Sequence, residues 1–361
     1  MDIQFSRREQ AEWDFIDSLM AFNSTGLGPK VKLDYADAVE RRKAAVETTK
    51  DVGGIINTMP SYQFAAFFER HNHAMMFDTT LDILAGHEKE ILAWLDHNNK
   101  PDALGRLELN PELGVPKYYE NIEIHTQPGS YHGSPFAGLM YHWMIGPFLV
   151  HRDDEDGMGW ALANAIPKRN YTRVLDLGCG IGKSTFPYCD LFPGAEVVGI
   201  DYAAPMIKYG HKLAEQRRKK VTFSQRLAED TGYDDESYDL IVALWLFHEI
   251  PNPIANAVVK EAYRLLKPGG VFALMEGPPY KELEQNHSPL SAFMLDSTGK
   301  RMNDPYLPGF FKRDRVEMIS SGGFEKAYDK AVKRELAAEA SGKKNLFGPY
   351  PWWVSIGEKA E

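Results

Sequence analysis

The sequence predicts an α/β fold: a doubly wound, mostly parallel sheet in the C-terminal part, preceded by a mainly helical N-terminal part. Three observations carry that reading. From residue 174 onward, short apolar runs alternate with helix-compatible segments through short connections, the pattern of a parallel sheet covered on both faces. The first run ends in a turn of three alternating glycines, in Val174-Leu-Asp-Leu-Gly178-Cys-Gly180-Ile-Gly182-Lys-Ser-Thr185. Residues 1 to about 100 instead place apolar side chains at helical spacing, as at Phe64, Phe67 and Phe68.

The glycine turn is the organising stretch. A buried strand feeding tight glycines and a helix start makes a ligand cradle, because glycine admits close backbone approach and a helix start offers unpaired N–H groups. A second buried strand over 197–200 ends at Asp201, 23 residues past Gly178. An acid there can grip both hydroxyls of an adenosine ribose. The spacing is not the dinucleotide pattern G-x-G-x-x-G, since position 183 is Lys. A phosphate-binding P-loop would need glycine where Leu177 stands, so a nucleotide-hydrolysing protein is a weaker rival.

D-x-G-x-G-x-G followed by the acid after the second strand resembles motif I of the class I S-adenosylmethionine-dependent methyltransferases. The resemblance runs from about 172 to 276 and more weakly to a last strand over 352–357. It implies a Rossmann-like, mostly parallel seven-stranded sheet and S-adenosyl-L-methionine as cofactor. Asp176, Gly178, Cys179, Gly180 and Gly182 would then meet the methionine part, and Asp201 the ribose, with Tyr202 and Leu244 in the same site. Ala228-Glu229-Asp230 looks like the family's adenine-contacting loop. The acid often found just before that alanine is Leu227 here, so Glu229, Asp230 or a backbone carbonyl must serve the adenine amine. Leu266-Lys-Pro-Gly-Gly270 resembles the turn before the fifth strand.

Taken in order, the chain opens with a charged, alanine-rich helix over 36–50 and a further apolar face at Ile91, Leu92, Trp94 and Leu95. Aromatics at this spacing are expected in a core rather than around a cofactor. His71-Asn-His73 has no third ligand near it in sequence, so no metal site is expected. Periodicity fails between 101 and 135, where Pro, Gly and Tyr gather, and a long irregular segment in a compact protein is a functional loop or a lid. His125, Tyr131 and His132 cluster there, with Tyr141 and His142 just beyond, either to face the sulfonium and the acceptor or to pack between domains. The acidic run 153–156 is expected to mark an exposed helix start and a boundary, giving an N-terminal cap, lid or homodimer surface over 1–150 and a methyltransferase domain over 151–361.

Beyond motif I the reading continues with a helix over 204–219 and a strand over 221–224. A strand over 238–246, a helix over 253–266 and a strand over 271–275 follow. Ligands of such sheets lie at the carboxyl ends of the strands. Asp176, Asp201, the Glu229-Asp230 loop, His248 and Glu276 all map to that edge.

Composition bounds the partners. A chain of 361 residues, 43% hydrophobic and 25% charged, can build a large core. A formal charge of −10 argues against a nucleic acid substrate, and the basic run 217–220 fits a helix C-terminus. Two cysteines offer neither a disulfide framework nor metal spacing, which favours the cytoplasm. The longest apolar stretch, 136–150, falls short of the roughly 20 residues of a membrane span.

Methyl transfer from a sulfonium needs chiefly proximity and orientation, and a base only where the acceptor must lose a proton. His248, at the end of an apolar strand, is the first candidate base, with His132 and His142 next. His248 and Glu249 could equally cap the strand. The expected function is methylation of a small-molecule acceptor on O, N, S or C. The alternative is a protein that binds the cofactor without transferring its methyl group. A protein or RNA methyltransferase is disfavoured by the acidic balance.

Overall fold

The computed structural model describes residues 3–96, 103–148, 156–286, 288–332 and 352–361. One sheet runs through it, in the order β1-β4-β3-β2-β5-β6-β8-β7. Its strands are β1 Arg106–Glu108, β2 Arg173–Leu177, β3 Glu196–Asp201, β4 Thr222–Gln225, β5 Tyr238–Leu244, β6 Leu266–Glu276, β7 Lys326–Val332 and β8 Trp352–Glu358. The first six pair in parallel, and β8 lies antiparallel between β6 and β7. Val174, Leu175, Leu240, Ile241, Val242 and Phe272 are all buried, which a strand covered on both faces demands.

The chain steps outward from β2 through β3 to β4, then returns to start β5 on the other side of β2. That reversal opens a crevice beyond the carboxyl ends of β2 and β5. Helices Phe186–Leu191, Ala204–Gln216 and Asn252–Leu265 connect the strands. The expected strands and helices therefore stand, with end points moved by a few residues, but Leu266-Lys-Pro-Gly-Gly270, expected as a turn, forms the first part of β6.

An eighth strand joins the seven expected ones, and it comes from the segment read as irregular. Arg106 donates its N–H to Val221 O at 3.1 Å, and Leu107 sits beside Phe223 in register. Close approach explains the local sequence: a Cβ on Gly105 would lie 2.0 Å from Val221 O. Residues before 150 thus extend the sheet, and their side chains Ile16, Met76, Phe77, Tyr119 and Leu139 share one core with the strands.

The N-terminal helices are Arg7–Phe22, Gly28–Arg42, Thr49–Ile56, Pro60–Gly86 and Glu88–Leu95. Capping boxes at Ser6/Glu9 and Thr48/Asp51 start the first and third. The expected helix over 36–50 is divided between the second and third, with Lys43 in the left-handed region at the break. A second, smaller core of Val31, Tyr35, Val52, Ile55, Ile56 and Tyr62 packs under Leu290, Phe293 and Met294. Phe64 and Phe67 depart from expectation: they are 53% and 60% exposed. The long helix buries Tyr62, His73, Met76, Phe77, Ile83 and Leu84 instead, a different stripe of the same cylinder. His71 stacks on Phe67 while His73 is buried, so the two imidazoles do not converge.

Of the acidic run, 153–155 fall outside the described residues, and Asp156 is buried and paired with Arg217 rather than exposed. The aromatic stretch Phe347-Gly-Pro-Tyr-Pro351, expected as a turn into the last strand, also lies outside them. No helix among the described residues is long and apolar enough to cross a membrane.

Candidate active site

Gly178, Gly180 and Gly182 all adopt positive φ, at +66°, +52° and +88°. Side-chain-free backbone is required here because L-residues rarely tolerate that region. They face different neighbours. A Cβ on Gly182 would meet Phe186 and Phe223 at 2.8 Å, so it seals the core. A Cβ on Gly180 would meet only Met206, at 3.6 Å, and this glycine lines a cavity with Gly178.

Two buried carboxylates brace the turn. Asp176 accepts the hydroxyls of Ser184 and Thr185 at 2.6 and 2.7 Å from behind it. Burial raises the Asp176 carboxyl to about 7 against those hydrogen bonds. Asp201 accepts the Gly180 N–H at 3.0 Å and the Ala203 N–H at 2.9 Å, which locks the turn to the end of β3. Burial raises its carboxyl to about 6, opposed by the Ala203 and Gly180 amides.

The cavity of about 360 Å³ begins at this turn and runs past β5 to the N-terminal segment. Of the sequence-derived cofactor residues, Gly178, Gly180, Asp201, Tyr202, Ala228, Glu229 and Leu244 line it. Asp176, Cys179, Gly182 and Asp230 are not among its lining residues. Cys179 is buried, and its Sγ would meet a Cβ placed on Gly199 at 2.9 Å, so it packs between β2 and β3. The N-terminal segment closes the other side. Tyr119 stacks on Tyr202 with ring centroids 4.9 Å apart, and Tyr118 donates its hydroxyl to Glu229 Oε1 at 2.8 Å.

The far end of the cavity carries imidazoles and carboxylates. Trp245 follows β5 with φ +57°, a strained conformation for a bulky residue, and turns the chain so that His248 enters the cavity. His248 Nδ1 lies 2.7 Å from Glu276 Oε2, while Glu276 Oε1 accepts the Phe247 N–H at 2.8 Å. Burial works to lower the His248 imidazole, but Glu276, Asp304 and Glu249 outweigh it and raise it to about 9. Glu249 Oε1 lies 3.0 Å from His125 Nε2 and accepts the Tyr131 hydroxyl at 3.0 Å. Burial raises the Glu249 carboxyl, yet the His125 and Tyr131 hydrogen bonds and the nearby imidazoles bring it below the ordinary range. Asp304 completes the group, 3.7 Å from His248 Nε2.

The other two candidate bases lie elsewhere. His132 Nδ1 is 3.2 Å from the Tyr202 hydroxyl, and His142 Nδ1 is 2.6 Å from the Tyr209 hydroxyl. Neither is among the cavity-lining residues, and burial holds the His142 imidazole down to about 4. Sequence reasoning passed over Tyr118, Tyr119, Arg226, Leu246 and Asp304 as lining residues. Asp304 sits in a stretch without periodicity, so nothing local marked it. Glu249, next to His248, was open to notice.

Comparison with known proteins gives this geometry a family. Residues 174–270 match the family described as a methyltransferase domain. Over 107 residues the chain is 34% identical to a demethylmenaquinone methyltransferase of Thermus thermophilus, spanning 30% of this chain and 48% of that protein. It is 31% identical over 169 residues to a trans-aconitate 2-methyltransferase of Deinococcus radiodurans, spanning 46% and 59%. A solved phosphoethanolamine N-methyltransferase 2 of Haemonchus contortus, in complex with S-adenosyl-L-methionine, is 14% identical. That match covers 69% of this chain and 61% of that one, with a TM-score of 0.45. The chain spans about half the length of the curated relatives it matches. Over residues 174–270 the chain is thus similar to the methyltransferase domains of these proteins.

Proposed function

We propose that the protein methylates a small molecule, with S-adenosylmethionine bound across the glycine turn and the acceptor at the imidazole end. One observation carries this reading: a single cavity connects Gly178, Gly180 and Asp201 to His248 and Glu249. The residues fit the cofactor. Gly180 leaves room for the methionine part where a side chain would fill it. The Asp201 oxygens accept the Gly180 and Ala203 N–H groups, one on each, and a carboxylate has further lone pairs with which to accept two ribose hydroxyls. Tyr202, Leu227, Ala228 and Leu244 offer apolar and aromatic walls for adenine, with Glu229 beside them.

When bound, the cofactor would supply an activated methyl group on a sulfonium, whose sulfur would keep the electron pair of the carbon–sulfur bond on transfer to the acceptor's electron pair. The chain's own contribution is orientation and exclusion of water. The aromatic wall of Tyr118, Tyr119 and Tyr131 covers the crevice from the N-terminal side. Activation of the acceptor belongs to the His248–Glu276 pair, with Nε2 the atom presented to it. His132 acts through Tyr202 and is a positioning residue, and His142 secures Tyr209. The cavity suits a small acceptor better than a polymer, and the net charge of −10 disfavours nucleic acid. A cytoplasmic setting, and a cap or homodimer role for the region before 150, belong to the same reading.

Calorimetry with Asp201→Ala tests the cofactor site. Affinity for S-adenosylmethionine should fall below detection while circular dichroism stays native. Near-native affinity would remove Asp201 from the site. Binding by the wild-type chain without turnover on any acceptor would favour the non-catalytic alternative.

A further inference from the structure

Three elements far apart in sequence meet at the acceptor end. His125 lies in the short turn Ile124–Thr126, His248 follows β5, and Asp304 follows helix Pro289–Arg301. Each presents one ligand-type atom, all within 4.8 Å of one another, and each residue lines the cavity. We propose that His125, His248 and Asp304 bind a divalent first-row transition cation, which holds the acceptor's oxygen or nitrogen opposite the methyl donor.

Asp304 supplies an independent reason. It is 1% exposed, and among the described residues neither of its oxygens accepts a hydrogen bond. The imidazole nitrogen 3.7 Å away is beyond hydrogen-bond reach. A carboxylate so deep and so poorly served is costly without a partner, and a cation between it and the imidazoles would satisfy it. His248 supplies a second. Glu276 takes up Nδ1 at 2.7 Å, and this leaves Nε2 as the nitrogen facing Asp304 and the cavity. A carboxylate on the far nitrogen of an imidazole is the usual outer support of a metal-bound histidine, because it fixes the ring and raises its basicity. Glu249 borders the group 3.0 Å from His125 Nε2 and 4.0 Å from His248 Nε2.

The donor set selects the ion. Two imidazoles and one carboxylate suit Zn²⁺, Mn²⁺ or Fe²⁺, whereas Mg²⁺ and Ca²⁺ prefer oxygen alone. Three protein ligands leave coordination positions open toward the cavity, where a bound acceptor would be polarised without redox change. This inference rests on reading that end as the acceptor site, and it gives His248 Nε2 a cation in place of the acceptor's proton.

The test uses the full chain, stripped with a chelator and dialysed. Zn²⁺ and Mn²⁺ are titrated separately by calorimetry, and S-adenosylmethionine is titrated into the same preparations. We expect one equivalent of at least one cation to bind and to raise Tm. Asp304→Asn and His248→Gln should each weaken that binding by about tenfold or more, with S-adenosylmethionine affinity unchanged. No stoichiometric binding of either cation to the wild-type chain would overturn the site. So would equal binding by wild type and both variants. If S-adenosylmethionine binds and the cations do not, the metal site falls and the methyltransferase reading stands. Cation binding with no S-adenosylmethionine binding would overturn that reading and leave the site as a cation site of other use.

Discussion

The Asp201 carboxylate holds the turn through Gly180 and Ala203 and still faces the cavity. Burial is what raises it to about 6. A proton on Asp201 removes acceptor capacity for the ribose hydroxyls, so cofactor affinity should be full above about pH 6. Below that it should fall by about tenfold per pH unit. Calorimetry at pH 5 and pH 7.5 reads this directly, and a flat profile would show that Asp201 does not carry the binding. The sign for folding is opposite. The folded chain holds this proton more tightly than the unfolded one, so ionisation of Asp201 lowers stability as pH rises from about 4 to about 6. The charge serves the site at some expense to the fold.

At the scale of elements, the turn after β2 is the piece with least freedom. Gly178 has φ +66°, and a Cβ there would lie 2.9 Å from Leu246 Cδ1. Leu246 can shift, but the backbone cannot leave the left-handed region without losing the Gly180–Asp201 bond. Gly178→Ala should therefore cost about 1–2 kcal/mol, a fall in Tm of about 1–3 °C for a chain of this size, together with weaker S-adenosylmethionine binding. Thermal denaturation with and without cofactor separates the two effects. An unchanged Tm would mean that the turn is not strained in the way its φ implies. The strands themselves follow from their residues: β-branched and leucine side chains at consecutive positions leave no polar face, so each must lie inside the sheet.

For the whole molecule, the N-terminal region and the sheet form one core, since Met76, Phe77, Tyr119, Leu139 and Met140 pack in the same cluster as Val174 and Leu177. Tyr118 reaches Glu229, Tyr306 reaches the Tyr118 carbonyl, and Arg301 pairs with Glu69. A chain begun at residue 157 would bare that apolar surface and lose β1. It should show no cooperative unfolding transition in calorimetry and should aggregate on concentration. A soluble truncated chain with a sharp transition would show the sheet to be independent of the region before it.

How much was legible beforehand follows the range of the interactions. Gly178, Gly180 and Asp201 were readable because strand, turn and acid lie close together in the chain, and their spacing alone constrains the backbone. Phe64 and Phe67 misled because helical spacing marks a stripe but not which stripe is covered. Strand β1 was hidden for a related reason: three residues carry almost no periodic signal, and only their pairing with β4 makes them a strand. The amino-acid sequence by itself settled the alternation of strands and helices, the glycine turn and the acid one strand away, all written in short-range pattern. Tertiary structure alone decided that His125 and Asp304 meet His248 and that His142 does not join them. Those residues come from segments as much as 179 positions apart, from 125 to 304, and no local spacing records which loops a fold brings together.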